Sequence, residues 1–480
     1  MTDRDPLDEA FDPESFRARG HALVELLAGH LARARSRPES PVLPWVEPAE
    51  QRARWPAEFP GNDGFEGLAR RVVDASIRLH DPRYVGHQTA PALPAGALAD
   101  LASSFLNNGM AVYEMGPAAT AIEQNVVGWL AERLGYGPGA GGALTSGGSL
   151  ATLSALLAAR QARAGFDVWE GGAGAGPPLA LLASDQAHYC VDRAVRILGW
   201  GAGGVVSVPS DERFRLRPER LDDALARARA AGRRVVAVVA CAGSTATGSH
   251  DPLAPIADFC ERNGLWLHVD GAHGASAALS PKYRGLLAGI ERADSVVWDA
   301  HKLLLMPALL SAVIYRDGRH APEAFRQHAS YLFGAAGGAS GDDDLGQRTF
   351  ECTKRMMGFQ LYAALATHGP APLAAFVERS YDRARAFALA LRGSPDFELA
   401  CEPESNIVCF RYRPAGLDPG PELDALQARA RERVARGGSH YLVRTRLPAG
   451  LFLRVTLMNP FTTNDDLAAL LASLREAAAP

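Results

Sequence analysis

Lysine is almost absent from this sequence. Only three of its 50 basic residues are lysines, namely Lys282, Lys302 and Lys354, and all the others are arginines. An arginine is sufficient wherever a solvated positive charge is needed, but its guanidinium stays protonated and cannot attack a carbonyl. A lysine amine can lose its proton and form a Schiff base with an aldehyde. The three retained lysines are therefore candidates for covalent chemistry.

Basic clusters and long apolar runs are also absent. The formal net charge is -4 and the two signs are interspersed, which excludes nucleic acid and membrane surfaces as expected partners and favours a small-molecule ligand. The acidic start, MTDRDPLDEAFDPESF, does not resemble a secretory signal, and no run is long enough to span a bilayer. We therefore expect a cytoplasmic protein.

Cysteine is sparse, and its six positions are scattered without a C-x-x-C pair. This pattern is typical of reduced, mostly buried thiols, so no metal site is predicted from them.

Short apolar runs alternate with amphipathic segments from about residue 140 to 320. The runs are LALLASD, VVSVPSD, RVVAVVACAG, LWLHVDGAHG, SVVWDAHK and ALLSAVIYRD. Near-continuous hydrophobic strands that alternate with helices predict an α/β fold, with a mostly parallel central sheet covered by helices on both faces. Ligands of such sheets bind beyond the carboxyl ends of the strands.

The chain is predicted to have three parts. Residues 1–85 pair an amphipathic helix, ESFRARGHALVELLAGHLARA, with a Pro-rich segment that is expected to be extended, and this arm needs another surface to lie on. A partner subunit would supply that surface. Residues 86–370 form the large cofactor-binding domain and residues 371–480 a small C-terminal α+β domain. The Gly-rich, acidic tract at residues 333–346 is interpreted as a mobile loop.

Several strand ends carry polar groups that a buried strand does not need. Asp270 ends one strand, His188 follows a second, and His301 and Lys302 follow a third. The carboxyl ends of parallel strands meet at one edge of the sheet, so these side chains are expected to converge on one crevice.

A glycine-rich turn adds an anion site to this crevice. In LTSGGSLATL, Gly147, Gly148 and Ser149 open a helix whose free backbone N–H groups can bind a phosphate. A phosphate site, a carboxylate and a lysine amine are the groups that pyridoxal 5'-phosphate (PLP) requires. The residues therefore predict a PLP site centred on Lys302.

Simpler interpretations of single residues stay open at this point. His188 can be an ordinary residue at a helix start, and the two glycines can serve only to make a tight turn. Lys282 lies in a predicted turn and Lys354 in a predicted helix without comparable neighbours, so both are interpreted as structural.

The motifs together resemble one family. YEMGPAATAIE, LTSGGSLATL, SDQAH, GSTATGSHDPL, WLHVDGAHGA, ADSVVWDAHK, HASYLF and LRVTLMNP are similar in content and order to the group II PLP-dependent amino-acid decarboxylases, whose members act on glutamate, cysteine sulfinate, diaminobutyrate and aromatic amino acids. The resemblance covers nearly the whole chain. It implies the fold-type-I PLP-dependent transferase fold and a homodimer with active sites at its interface.

The resemblance also implies roles for individual residues. Lys302 would bind the cofactor aldehyde and Asp270 the pyridine nitrogen. His188 would stack on one face of the ring and Ala272 would lie against the other. Thr245 matches a hydroxyl that contacts the ring, and a purely structural role for it stays open.

The phosphate of the cofactor would lie against a second group of residues. By resemblance these are Gly147, Gly148, Ser149, Asp299 and His301. Three further positions relate to the substrate: Tyr331 matches a catalytic tyrosine on a loop from the neighbouring subunit, Arg454 matches a residue that binds a substrate carboxylate in the glutamate-type enzymes, and Gln88 lies near a substrate-contacting position. Arg454 can equally be a solvated strand residue.

The sequence departs from the family pattern at two motifs. Many members have VDAAW or VDAAY, where this chain has Gly271 and His273, and N-P-H-K, where it has Asp299 and Ala300. A carboxylate at position 299 is unfavourable beside a phosphate unless it is protonated or paired.

The expected reaction is α-decarboxylation of an L-amino acid, acidic or small and polar, to the amine and CO2. Tyr331 would supply the proton that Cα receives. The alternatives are decarboxylation coupled to oxidative deamination, a carbon–carbon lyase reaction or transamination on the same scaffold, and a non-catalytic dimeric pseudo-decarboxylase.

Overall fold

The structure is a computed structural model, and it describes residues 5–36, 40–55, 64–325 and 343–479. The chain divides into two compact units. The first unit comprises Met1–His87, Leu391–Glu398 and Phe410–Pro480, and the second comprises Gln88–Ala390 and Leu399–Cys409.

Many helices of the amino-terminal half have proline as their first residue. They are α1 (Pro6–Ala10), α2 (Pro13–Arg35), α3 (Pro48–Ala53), α4 (Gly64–Ala75), α5 (Pro94–Leu106), α6 (Pro117–Arg133), α7 (Gly148–Arg163), α8 (Val168–Gly171) and α9 (Tyr189–Ile197). The later helices are α10 (Leu221–Ala230), α11 (Leu253–Asn263), α12 (His320–Phe325), α13 (Gly358–His368), α14 (Ala371–Arg392), α15 (Pro421–Gly437) and α16 (Asn464–Ala478).

Eleven strands form two sheets in the part of the chain that the structure describes. They are β1 (Gly141–Thr145), β2 (Leu179–Ser184), β3 (Val205–Val208), β4 (Arg234–Cys241), β5 (Trp266–Asp270), β6 (Ser295–Asp299), β7 (Ser311–Tyr315), β8 (Phe397–Leu399), β9 (Ile407–Tyr412), β10 (Val443–Leu447) and β11 (Gly450–Thr456). The large sheet has the order β1-β7-β6-β5-β4-β2-β3, and the small sheet has the order β10-β11-β9-β8.

The large sheet confirms the predicted α/β fold. Strands β2 to β6 pair in parallel, as expected for buried apolar runs that alternate with helices. Strand β7 runs antiparallel to both β6 and β1. This reversal places Ser311 directly opposite Asp299.

The core of the second unit lies between helices α7 and α9 and the strands they cover. Trp266 is fully buried in this core, and Trp298 of β6 is fully buried outside it. Each indole N–H donates to a serine hydroxyl, at 2.9 Å from Trp266 to Ser295 and at 2.8 Å from Trp298 to Ser276. The packing therefore leaves neither indole with an unpaired buried donor, and it holds β5 and β6 rigidly behind their polar ends.

The arm differs from the expectation in one detail. The predicted amphipathic helix is α2, which starts with Pro13 and is capped by the Asp12 carboxylate. The Pro-rich segment was expected to be extended, but it contains the short helix α3, which begins at Pro48. Proline is tolerated there because the first helical N–H has no partner within the helix.

No described helix combines the length and hydropathy needed to cross a membrane. The cytoplasmic location, the domain boundaries at residues 85 and 370, and the packing of the arm on a partner stay predictions.

Candidate active site

A cavity of about 410 Å³ opens at the carboxyl ends of the strands in the second unit. All ten residues predicted to surround the cofactor line it: Gly147, Gly148, Ser149, His188, Thr245, Asp270, Ala272, Asp299, His301 and Lys302. The other lining residues are Ser146, Leu150, Thr152, Cys190, Cys241, Gly243, Ser244, His273 and Leu309. The predicted convergence of the strand ends on one crevice therefore holds in the fold.

The amino terminus of α7 forms one wall of the cavity. Gly147 precedes the helix with φ at 136°, a conformation that favours glycine. A Cβ atom on Gly148 would lie 2.8 Å from Oδ1 of Asp299, so only glycine allows the helix to approach that carboxylate. The first-turn N–H groups of such a helix have no acceptor within the helix and suit an anion.

Lys302 forms an ion pair at the floor of the cavity. Its Nζ lies 2.9 Å from Oδ2 of Asp299, whose Oδ1 accepts a hydrogen bond of 2.5 Å from the Ser311 hydroxyl. His301 Nε2 lies 3.8 Å from the same Oδ2. Asp299 is therefore paired, which removes the objection to a carboxylate at this position.

The ion pair changes the pKa of both partners. Burial, the largest single effect, raises the pKa of Asp299, but the charges of Lys302 and His301 together with the hydrogen bonds from Ser311 and Lys302 outweigh it and lower the pKa. Burial alone would lower the pKa of Lys302, but the Asp299 carboxylate outweighs burial and raises it. In the absence of other ligands, the lysine is thus an ammonium at neutral pH, and it must give up a proton before it can act as a nucleophile.

His188 lies at the start of α9. Its Nδ1 accepts a hydrogen bond of 3.3 Å from the backbone N–H of Cys190, which fixes the ring as the cap of the helix. The pKa of His188 is lowered, chiefly by burial. The charge of Asp270 acts in the opposite direction, and the charge of Lys302 lowers the pKa further. A neutral ring at neutral pH is suited to stacking against a flat aromatic group.

Asp270 ends β5 between the ends of β4 and β6. It lies in register with Cys241 on one side and Val297 on the other, and its Oδ1 accepts a hydrogen bond of 3.2 Å from the N–H of Ala272. The carboxylate is only partly buried and borders the cavity. It is therefore available to a cationic ring nitrogen.

Two thiols close the wall near these groups. Cys190 and Cys241 are both buried, and burial raises the pKa of Cys190 to about 12. Burial also raises the pKa of Cys241. Both thiols therefore stay protonated at neutral pH, and their burial agrees with the buried thiols predicted from the sequence.

His273 occupies the place of the family's aromatic residue and lines the cavity. It is buried, and its Nε2 lies 2.6 Å from Oδ1 of Asn406. The amide oxygen can only accept, so the Nε2–H of His273 donates to it. In place of the family's Trp or Tyr, this chain therefore has an imidazole that is held by a hydrogen bond to Asn406.

The predicted substrate-related residues Gln88 and Arg454 are not among the residues that line the cavity. Gln88 is half-buried at the start of the second unit, and Arg454 is buried on β11 in the first unit. Tyr331 lies outside the described residues, as does most of the Gly-rich tract.

Sequence reasoning missed two groups near the cavity. Ser311 contacts Asp299 only because β7 is antiparallel to β6, a pairing that no local pattern reveals. Lys354 is not on a helix, since α13 begins at Gly358. It is buried instead and forms an ion pair with Glu123. In the sequence, only the scarcity of lysine pointed to a special role for Lys354.

These residues fit PLP. The glycines at the start of α7 leave room for a phosphate beside backbone donors, the cavity has the volume of a small-molecule site, and a lysine amine and a carboxylate border the same space. Of the described residues that line the cavity, Lys302 alone offers an amine.

Comparison with known proteins agrees with this chemistry. The family model for the pyridoxal-dependent decarboxylase conserved domain matches residues 69–413, so the chain belongs to the PLP-dependent decarboxylase family. It is a PLP-dependent carboxy-lyase that acts on an amino acid.

The individual relatives carry different substrate names. The chain is 30% identical to cysteine sulfinic acid decarboxylase of Homo sapiens, over 99% of both chains, and 31% identical to the acidic amino acid decarboxylase GADL1 of Homo sapiens, over 84% of this chain and 79% of that one. It is 27% identical to an aromatic-L-amino-acid decarboxylase of Bacillus atrophaeus, over 96% of this chain and 95% of that one. The crystal structure of mouse CSAD superimposes with a TM-score of 0.90 at 28% identity, covering 97% of this chain and 99% of that one.

Proposed function

We propose that this enzyme decarboxylates an acidic or small polar L-amino acid at Cα and releases the amine and CO2. We further propose that it acts as a homodimer. The family defines the reaction class. The substrate class is supported chiefly by Arg454, a buried arginine on β11.

The charges around Arg454 support an anionic ligand. Burial lowers the pKa of His87, and the positive charges of Arg454 and Arg431 lower it further. Two cationic groups therefore act on the same point of the first unit, where a carboxylate or sulfinate is electrostatically favoured. The relatives that act on cysteine sulfinic acid and on acidic amino acids agree with this choice.

PLP, when bound, supplies an aldehyde for the substrate amine and a ring that accepts the electron pair left by CO2. We assign a separate role to each of three residues of this chain. Lys302 would hold the cofactor through its amine and would give way to the amine of the substrate. Asp270 keeps the ring nitrogen protonated, and His188 packs on the ring face.

Asp299 has a positioning role in this proposal. Its carboxylate, held by the Ser311 hydroxyl, orients Nζ of Lys302. The amino terminus of α7 and His301 would bind the phosphate, and Thr245 and Ala272 would complete the ring pocket. Gln88 would contact the substrate.

A substrate panel tests the function. Purified enzyme loaded with PLP is supplied separately with cysteine sulfinate, aspartate, glutamate, 2,4-diaminobutyrate, serine and the aromatic amino acids, and CO2 and amine are quantified. We expect the highest kcat/KM with an acidic or small polar substrate and one amine per CO2. A preference for an aromatic amino acid would overturn the substrate class. Aldehyde in place of amine would overturn the reaction.

Replacement of Arg454 by methionine tests the substrate contact. Methionine keeps the length and apolar stem of arginine but loses its charge, so the KM for an acidic substrate is expected to rise at least about tenfold, the size of one charge-assisted hydrogen bond. The cofactor absorbance and the kcat should change much less. Arg446→Met is the matched control, because Arg446 is an exposed arginine on β10 that pairs with Asp424. An unchanged KM in Arg454→Met would make Arg454 a structural residue.

Tyr331 is our proposed proton donor to Cα. Tyr331→Phe removes the phenolic proton, so we expect CO2 release and PLP binding to continue while the amine yield falls and oxygen consumption rises. Measurement of amine, aldehyde and oxygen in the same reaction checks this. An amine yield equal to that of the wild type would exclude the role.

Exposed apolar side chains support the proposed homodimer. Phe16, Val24 and Leu27 are exposed on α2, and Leu98 and Phe105 are exposed on α5. Large apolar side chains repeated along a helix are typical of a subunit interface.

A mixture of Lys302→Ala and Tyr331→Phe chains tests both the dimer and a shared site, because only heterodimers could combine Lys302 of one chain with Tyr331 of the other. Restored amine formation is expected, and its absence would place both residues in one subunit's site.

A further inference from the structure

A buried ion pair closes the outer edge of the large sheet. Among the strands that the structure describes, β1 is the edge strand next to β7, and no described strand pairs with its outward-facing backbone groups. The N–H of Leu144 donates to Oε1 of Glu123 at 2.9 Å, and its carbonyl oxygen accepts from Nζ of Lys354 at 2.7 Å. Lys354 also binds Oε1 of Glu123. The pair thus takes the place of a missing strand at one residue.

Leu144 lies close in the chain to the phosphate-binding turn. Two residues beyond it the chain enters the turn Ser146–Ser149, which lines the cavity. The hydroxyl of Thr145 donates to the carbonyl oxygen of Gly147 at 3.2 Å. The Ser146 hydroxyl donates to Glu351 at 2.9 Å, and Glu351 lies in the same segment as Lys354. This segment therefore holds the turn at Ser146 and holds the strand that leads into it at Leu144.

Stability alone does not account for this ion pair. The side chains of Glu123 and Lys354 are 1% and 3% exposed, and burying two charges costs free energy that their attraction often fails to recover. Oε2 of Glu123 is buried and accepts no hydrogen bond from the described residues. The arrangement leaves one polar atom unsatisfied but fixes both backbone groups of Leu144, so its benefit is geometric.

We propose that the Glu123–Lys354 pair is a positioning device for the turn Ser146–Ser149, and that it sets the affinity of the site for the phosphate group of the cofactor. The inference rests on the proposed phosphate role of this turn. It accounts for a lysine at position 354: a compact ammonium reaches both a carboxylate and a carbonyl in a closed space, whereas a planar guanidinium is larger and needs a wider set of acceptors. The backbone of α13 leaves little room, since a Cβ on Gly358 would lie 3.2 Å from Cα of Glu123.

The test compares PLP with pyridoxal, which lacks the phosphate. Both are titrated against the apo forms of the wild type and Lys354→Met, and binding is measured by absorbance. We expect the Kd for PLP to rise about tenfold or more in Lys354→Met, and the Kd for pyridoxal to change less than about threefold, because only the phosphate contacts are displaced. Lys282→Met is the matched control: it removes an exposed lysine that pairs with Asp382 at 2.6 Å in the same unit, and it should change neither Kd.

A lysine whose role is only to stabilise the fold would give another result. The melting temperature of the apo form would then fall while both Kd values stayed equal to those of the wild type, or both would rise by the same factor; either outcome overturns the proposal. If Lys354→Met does not fold, Lys354→Gln keeps a donor for the Leu144 carbonyl and is expected to show a smaller, still phosphate-specific loss. A wild type that prefers PLP but decarboxylates no acidic or small polar amino acid would overturn the proposed function and leave this inference standing.

Discussion

Lys302→Ala is expected to abolish CO2 release and the visible absorbance of the lysine-bound cofactor. Within the described part of the chain, Lys302 is the one cavity-lining residue that has an amine, and its Nζ lies 2.9 Å from Asp299. Alanine can neither bind the aldehyde nor release the product amine, so the rate should fall by at least about four orders of magnitude, which is about 5.4 kcal/mol in activation free energy. Steady-state assays and absorbance spectra of the variant measure both effects.

Borohydride reduction and peptide mass spectrometry together locate the attachment directly. The wild type should carry the reduced cofactor on Lys302, and Lys282→Ala should behave like the wild type because Lys282 is at the surface. A reduced adduct on Lys282 or Lys354 in place of Lys302 would refute the assignment.

Asp270→Asn is expected to retain PLP but lose about two to three orders of magnitude in kcat. The amide has the same shape and can still accept the 3.2 Å hydrogen bond from the N–H of Ala272. It cannot balance a positive charge on the ring nitrogen, and loss of one such electrostatic contact typically costs about 3–4 kcal/mol of transition-state stabilisation. The variant's kcat is measured at full cofactor occupancy, verified by its absorbance.

The surface variant Asp382→Asn serves as the control, because Asp382 pairs with Lys282 away from the cavity. Turnover of Asp270→Asn within a few fold of the wild type would show that the ring does not depend on this carboxylate. The requirement for a protonated ring would then have to be abandoned.

The sequence predicted the sheet and the strand ends well because both depend on local patterns. Asp270 and Lys302 each come after an apolar run, and parallel strands bring such ends together regardless of the details of packing. The contacts between residues that are distant in the chain could not be predicted from these local patterns. Ser311 meets Asp299 through an antiparallel pairing of β6 and β7, and Glu123 meets Lys354 across 231 positions of the chain.

Contacts of this kind depend on which strand lies at an edge and which one reverses. Neither property is written in the spacing of apolar residues, which gives the same signal for both directions of a buried strand. Asp299, which departs from the family pattern, illustrates the difference between local pattern and folded contacts. An aspartate beside a phosphate looks unfavourable in the sequence, but in the fold it has a lysine and a serine as partners.

The scarcity of lysine also affects how this protein meets reactive aldehydes in general. The side chain of Lys282 is 55% exposed, whereas those of Lys302 and Lys354 are 17% and 3% exposed. A hydrogen bond from Lys282 to the Asp382 carboxylate also raises its pKa, which leaves less of it as the free amine. A sugar, a lipid-derived aldehyde or surplus cofactor therefore finds a single well-exposed lysine side chain, and that one is largely protonated. The surface of such an enzyme should form fewer Schiff-base adducts with these aldehydes than a surface of the same charge built from lysines.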